Sequence, residues 1–175
     1  MKRITKIIVI AIVIIGLALF LWFAYQSTHH TQNQTNNSGS SKQAASQKPT
    51  DQLLTLINAE RKKAGVKPLS IDNRLNQSAQ WKVDDMVKNN YLGYVKPGEK
   101  TANGLNKLFE LTGKSCSYGN EIMVWDSDKR SITPQVAADY WIKSESNHKT
   151  IVDPDYTLTG FGIGQYIVVA HFCQP

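Results

Sequence analysis

Residues Ile7 to Tyr25 are apolar or aromatic throughout apart from Gly16, and this run constrains the chain more than any other feature. As a helix, its 19 residues would be roughly 28 Å long, close to the hydrocarbon thickness of a bilayer. Lys2, Arg3 and Lys6 stand before it, and no further charge occurs until Lys42. The bias of positive charge toward the cytoplasm places residues 1–6 inside the cell and everything after Tyr25 outside. Trp22 and Tyr25 suit the interfacial aromatic belt. A cleaved signal peptide is the rival reading. Its apolar stretch is usually shorter and ends in a small-x-small site, whereas Trp22 stands here two residues before Ala24. The expectation is a retained single-pass anchor over residues 7–25, a cell-membrane location and an extracellular C-terminal part. With either reading, the rest of the chain is exported.

Residues 26–50 are almost entirely Gln, Asn, Ser, Thr, His and Lys. Such a segment lacks the apolar anchors that offset the entropy of ordering, so a disordered polar linker is expected. His29 and His30 within it read as solvated. From residue 51 to 175, apolar and polar residues mix as in a packed protein, and this length suffices for one core. The formal charge of +6 lies mostly outside that region. From Asp51 onward there are 15 Lys plus Arg against 14 Asp plus Glu, a net of +1. No basic run remains to recruit nucleic acid, and none is expected as a partner.

Cys116 and Cys173 are the only cysteines. In an exported domain an even count favours a bridge. A metal site would want the close CxxC spacing that is absent here.

Periodicity supplies the elements. Thr50 can cap a helix running to Ala64, with Leu53, Leu54, Ile57 and Arg61 on one side and Gly65 as its stop. Asp72 can cap a second, whose stripe is Leu75, Ala79, Val83, Met86 and Val87. Gly104 to Leu111 reads as a third helix, ended by Gly113. Thr133-Pro134 opens a fourth, with Val136, Ala137, Tyr140 and Trp141 facing inward. Strands are predicted at Glu121–Trp125, Thr159–Gly164 and Tyr166–Phe172. Helices first and strands last argue for an α+β layered domain with a central antiparallel sheet.

The stretch Leu53-Leu54-Thr55-Leu56-Ile57-Asn58-Ala59-Glu60-Arg61, followed by Gly65, Pro68-Leu69 and Asp72, resembles the opening of a CAP domain, the superfamily of cysteine-rich secretory, antigen 5 and pathogenesis-related proteins. The similarity continues through Asn90-Tyr91, Gly119-Asn120-Glu121-Ile122, Trp141, Ser144, Ile151-Val152, Tyr156 and Gly160-Phe161-Gly162. The resemblance implies an α-β-α sandwich. It also implies a cleft where two His and two acidic residues can hold a divalent metal. At three of those positions this chain carries Tyr94, Asn120 and Asn147 instead, and for the fourth, the remaining acidic residue, only Glu99 and Glu110 are near. Glu121 and His148 lie one residue off the matching positions. In a strand, such a displacement turns a side chain to the opposite face. His171, in the last strand, reads as a hydrogen-bonded sheet histidine.

A phenol and two amides are poor ligands for zinc but good hydrogen-bonding groups. No Gly-x-Ser-x-Gly elbow, His-Glu-x-x-His helix or phosphate loop occurs. The expectation is therefore a membrane-anchored, surface-exposed binding module without catalytic residue, metal or cofactor. Its ligand would be a glycan, lipid or protein, met by Tyr94, Asn120 and Asn147, with Glu121 and His148 as secondary members. The alternative is a metal-dependent hydrolase using a shifted Glu121/His148 pair.

Overall fold

The computed structural model describes residues 47–175. The expected anchor at residues 7–25 and nearly all of the linker lie outside that range. Among the described residues no helix is long and apolar enough to cross a membrane.

The first helix, α1 (Pro49–Lys63), begins one residue before the expected cap. Lys48 occupies the N-cap without a side-chain bond, and Pro49 starts the helix instead of Thr50 capping it. A proline fits there because its ring presets φ and the missing N–H would be unpaired anyway. Leu53, Ile57 and Arg61 are buried at four-residue spacing, and Gly65 ends the turn at φ 73°. Arg61 ties the chain together. Its guanidinium donates to the carbonyls of Lys67, Ile151, Asp153 and Tyr156 at 2.7–3.0 Å.

Asp72 caps α2 (Asn73–Lys88), its Oδ1 accepting from the Arg74 amide at 2.8 Å. Leu75, Ala79, Val83 and Met86 are buried as the stripe predicts, but Val87 is 49% exposed. At about 100° per residue, Met86 falls about 20° from Leu75 around the axis and Val87 about 120°. The helix α3 (Asn103–Thr112) ends at Gly113. A turn of 3-10 helix follows, then the strand β2 (Tyr118–Trp125). Thr133 caps α4 (Pro134–Lys143), its oxygen accepting from the Val136 amide. Ala137, Ala138 and Trp141 are its buried face; Val136 and Tyr140, expected inward, are exposed. They sit one position, about 100°, behind that face. A further helix, α5 (Glu145–Val152), precedes the strands β3 (Leu158–Ile163) and β4 (Ile167–Gln174).

The sheet is mixed, which corrects the antiparallel expectation. A two-residue strand, β1 (Ser70–Ile71), pairs parallel with β3, and the order is β1-β3-β4-β2. Strand β4 pairs antiparallel with both β3 and β2. Alternation sorts the side chains between two faces. Ile122, Val124, Val168, Ala170 and Phe172 pack with Leu53, Ile57, Trp141 and Ile151 of α1, α4 and α5. Met123, Ile167 and Val169 pack with Ala79, Val83 and Met86 of α2. Helices thus cover both faces, the three-layer arrangement that the resemblance implies. Helix α2 lies directly on the backbone of β3: a Cβ at Gly160 would overlap Asn76, and one at Gly162 would overlap Ala79. Where the short β1 leaves β3 amides without a strand partner, α2 supplies acceptors. Asn76 Oδ1 takes the Phe161 amide at 2.8 Å and Gln80 Oε1 the Ile163 amide at 3.0 Å. The expected Cys116–Cys173 bridge is present, with Cα atoms 5.6 Å apart, and joins the entry to β2 with the end of β4.

Candidate ligand-binding cleft

Strand β2 is an edge strand, and an open cleft of about 410 Å³ runs beside it, lined among others by Tyr94, Asn120, Glu121, Ser146, Asn147 and Thr150. Asn120 and Glu121 alternate to opposite faces, as the register requires, yet both line it because it lies at the margin of the sheet.

Tyr94 comes from the loop between α2 and α3, and a buried lysine holds that loop. Lys82 Nζ donates to the Tyr94 carbonyl at 2.9 Å, to Asn103 Oδ1 at 2.6 Å and to the Tyr91 hydroxyl at 3.1 Å. Burial pulls the ammonium below the ordinary lysine value, with Glu121, Asp85 and Glu99 pulling it back. The Tyr91 hydroxyl and the Asn103 amide both donate to Asp85 Oδ2, at 2.6 and 2.9 Å. Burial pushes the Asp85 carboxyl up, but those bonds and Lys96 outweigh it and hold the carboxyl below its usual range. Tyr94 itself is 40% exposed. Burial, and after it the charge of Glu121, raises its phenol.

On the other wall, Asn120 Nδ2 donates to Thr150 Oγ1 at 3.2 Å and its Oδ1 accepts the Glu121 amide at 2.8 Å. Asn147 and Ser146 stand half-buried or exposed on the first turn of α5.

The floor is Glu121, whose side chain is 1% exposed. Its Oε2 lies 2.7 Å from His171 Nε2, and His171 Nδ1 lies 2.7 Å from Ser78 Oγ. Ser78 Oγ also reaches the Leu75 carbonyl at 3.1 Å. The other carboxylate oxygen, Oε1, is buried without a partner among the described residues. Helix α3 admits this arrangement at Gly104, where a Cβ would overlap Oε2 and stand 2.8 Å from Cδ.

The structure therefore brings Tyr94, Asn120, Asn147 and Glu121 around one cleft. His148 points elsewhere, its Nε2 3.0 Å from Glu60 Oε1. The Glu60 carboxyl is held below its usual value by the hydrogen bond from Lys63 first and that from His148 second. Glu99 is exposed, and Glu110 pairs with Lys107 at 2.6 Å on the surface of α3. A divalent cation of the zinc type asks for several imidazoles or carboxylates around one point. Among the described residues no three His, Cys, Asp or Glu side chains gather in that way. The cleft is lined by one carboxylate, itself buried against His171, two amides and a phenol, which does not fit such an ion.

Sequence reasoning missed Ser78 and Lys82; its reading of His171 as a hydrogen-bonded sheet histidine holds, but it did not name Glu121 and Ser78 as the partners. One signal was present: Ser78 and Lys82 interrupt the apolar stripe of α2 four residues apart, and polar residues on a buried stripe must find partners. Nothing local could pair position 121 with 171, because their contact comes from the β2–β4 register.

Residues 54–169 match the model of the cysteine-rich secretory protein family, CAP. Two relatives come from Bacillus subtilis (strain 168). The uncharacterized protein YkwD is 33% identical over 136 residues, 78% of this chain and 49% of its own length. The uncharacterized membrane protein YlbC is 26% identical over 129 residues, 70% of this chain and 34% of its own length. The chain thus spans half or less of the relatives it matches. Among solved structures, an extracellular protein containing a SCP domain from Bacillus anthracis superposes with a TM-score of 0.62 at 20% identity. That match covers 73% of this chain and 40% of the other. It shows a shared fold.

Proposed function

The chain belongs to the cysteine-rich secretory protein (CAP) family, and from that premise we propose that its domain is a non-catalytic binding module displayed on the outer face of a membrane. The carrying observation is the cleft beside β2, where Tyr94, Asn120 and Asn147 converge. Amides, hydroxyls and a phenol recognise uncharged hydrogen-bonding frames such as a glycan or a peptide backbone. Anchoring is supported by the apolar run at residues 7–25 and by the name of the relative YlbC, a membrane protein. The domain would then stand outside the cell on the polar segment at residues 26–50.

The test is a screen of the detergent-solubilised full chain on glycan, lipid and peptide arrays, beside an Asn147→Ala variant. The reading predicts retention of one ligand class and its loss in the variant. Silence on every array, or retention unchanged by the variant, would refute it. The metal-dependent hydrolase has no supporting geometry, because Glu121 is turned to His171 and His148 to Glu60. A zinc-binding heat that disappears in His148→Ala would revive it.

A further inference from the structure

Glu121 is the one feature of the cleft that an uncharged ligand leaves unexplained. A carboxylate normally accepts at both oxygens, and leaving one unpaired in a buried place is costly. Here Oε2 takes the bond from His171 while Oε1 has no partner among the described residues. The nearby ammonium of Lys82 cannot serve it, since its three donors are spent on Tyr91, Tyr94 and Asn103. Ser78, His171 and Glu121 follow one another as in a hydrolytic triad, but Ser78 is fully buried and its hydroxyl has no route to a substrate. Read from its other end, the chain is a support. When the single Ser78 proton is given to Nδ1, 2.7 Å away, rather than to the Leu75 carbonyl at 3.1 Å, the His171 ring carries its proton on Nε2 and donates it to Oε2. That fixes the carboxylate and leaves Oε1, buried and unpaired among the described residues, as the free acceptor of the Glu121 side chain beneath the cleft that this residue lines.

We propose that Glu121 makes this cleft a receptor for a primary amine. The ligand's protonated amino group donates to Glu121 Oε1, while its hydroxyl or amide frame meets Tyr94, Asn120 and Asn147. A water or hydroxyl would satisfy the hydrogen bond alone; an ammonium also answers the charge. The surrounding charge agrees. Among the described residues, Glu121 is the one charged side chain lining the cleft, where no lysine or arginine stands, and Lys82 behind it, on which Glu121 acts, has its donors engaged elsewhere. His171 and Ser78 act as positioning residues through Glu121. This inference rests on the reading that the cleft binds a ligand, and it specifies what that ligand must carry.

The experiment uses two matched pairs against the full chain by calorimetry. One is a glucosamine tetramer and its fully N-acetylated counterpart; the other is tetra-alanine and N-acetyl-tetra-alanine. In at least one pair the free amine is expected to bind tenfold or more tighter, the factor typical of one charge-assisted hydrogen bond, and Glu121→Gln should abolish the preference. Equal binding of amine and acetylated forms, or a preference retained in Glu121→Gln, overturns the inference and leaves the cleft reading intact. No binding of any of the four compounds overturns it too, and the arrays then judge the cleft reading separately. If Glu121→Gln does not fold, the side-chain carboxyl ¹³C resonance of Glu121 in the unmodified chain decides. It must move with the amine and stay still with its acetylated partner.

Discussion

A methyl group at residue 104 should expose how firmly Glu121 is held. Gly104 lies in the first turn of α3 at an ordinary helical conformation, so alanine there would normally stabilise by less than about 1 kcal/mol. In this fold the added Cβ overlaps Glu121 Oε2 and stands 2.8 Å from its Cδ. The carboxylate must move, and its bond to His171 Nε2, 2.7 Å long and wholly buried, is lost. If the displaced carboxylate reaches water in the cleft, the remaining cost is an unpaired buried imidazole, about 1–3 kcal/mol. If it stays buried, the cost approaches about 3–5 kcal/mol. Net of a helical gain of about 0.5 kcal/mol, Gly104→Ala should destabilise by about 0.5–4.5 kcal/mol, lowering Tm by roughly 2–18 °C at about 4 °C per kcal/mol for a domain of this size. Urea and thermal denaturation followed by circular dichroism read this directly. In a Glu121→Ala background the sign should reverse, because the methyl then meets no carboxylate. A Gly104→Ala variant as stable as the parent, or one equally damaged in both backgrounds, would refute the claim that Glu121 is pinned at this spot.

Three further outcomes follow from the packing. Replacing Cys116 and Cys173 by serine opens a loop with a sequence separation of 57; the chain-entropy model puts the loss at about 4 kcal/mol, measurable as a lower urea midpoint. Arg61→Lys should cost several kcal/mol and expose the segment from Ile151 to Tyr156 to amide exchange, since a point ammonium cannot reach all four carbonyls bonded by the guanidinium. Glu60, Asp72 and Asp85 are all held below their usual values, by bonds from Lys63, from Arg74, and from Tyr91 and Asn103 against burial. Their folded pKa values lie below the unfolded 4.5 for Glu60 and 3.8 for Asp72 and Asp85. Their contribution is therefore complete above about pH 5 and is lost as the pH falls through the folded values. The urea midpoint should hold from pH 7 to 5 and drop steadily toward pH 3; a flat profile would contradict this.

Local chemistry made much of the scaffold legible. Asp72 and Thr133-Pro134 mark helix starts because their oxygens accept first-turn amides, and Gly65 and Gly113 mark ends because they adopt positive φ. Strand β1 was missed because two residues carry no period, and it forms only where β3 offers a parallel partner. Helix α5 was missed because its eight residues, ESNHKTIV, bury only Thr150 and Ile151. Val87, Val136 and Tyr140 are apolar enough to read as inward, yet a single position of rotation carries them to the surface. The ordered resemblance named Tyr94, Asn120 and Asn147, which line one cleft. The support beneath Glu121 was invisible because it is assembled from α2, β2 and β4, whose members Ser78, Glu121 and His171 are separated by up to 93 positions.

The most direct measurement follows the side-chain amide resonances of Asn120 and Asn147 while the detergent-solubilised full chain is titrated with whichever ligand the arrays retain. Occupation of the cleft beside β2 predicts that both amide pairs shift together and saturate at the binding stoichiometry. A ligand that binds while both amides stay in place would show that recognition happens elsewhere on the molecule.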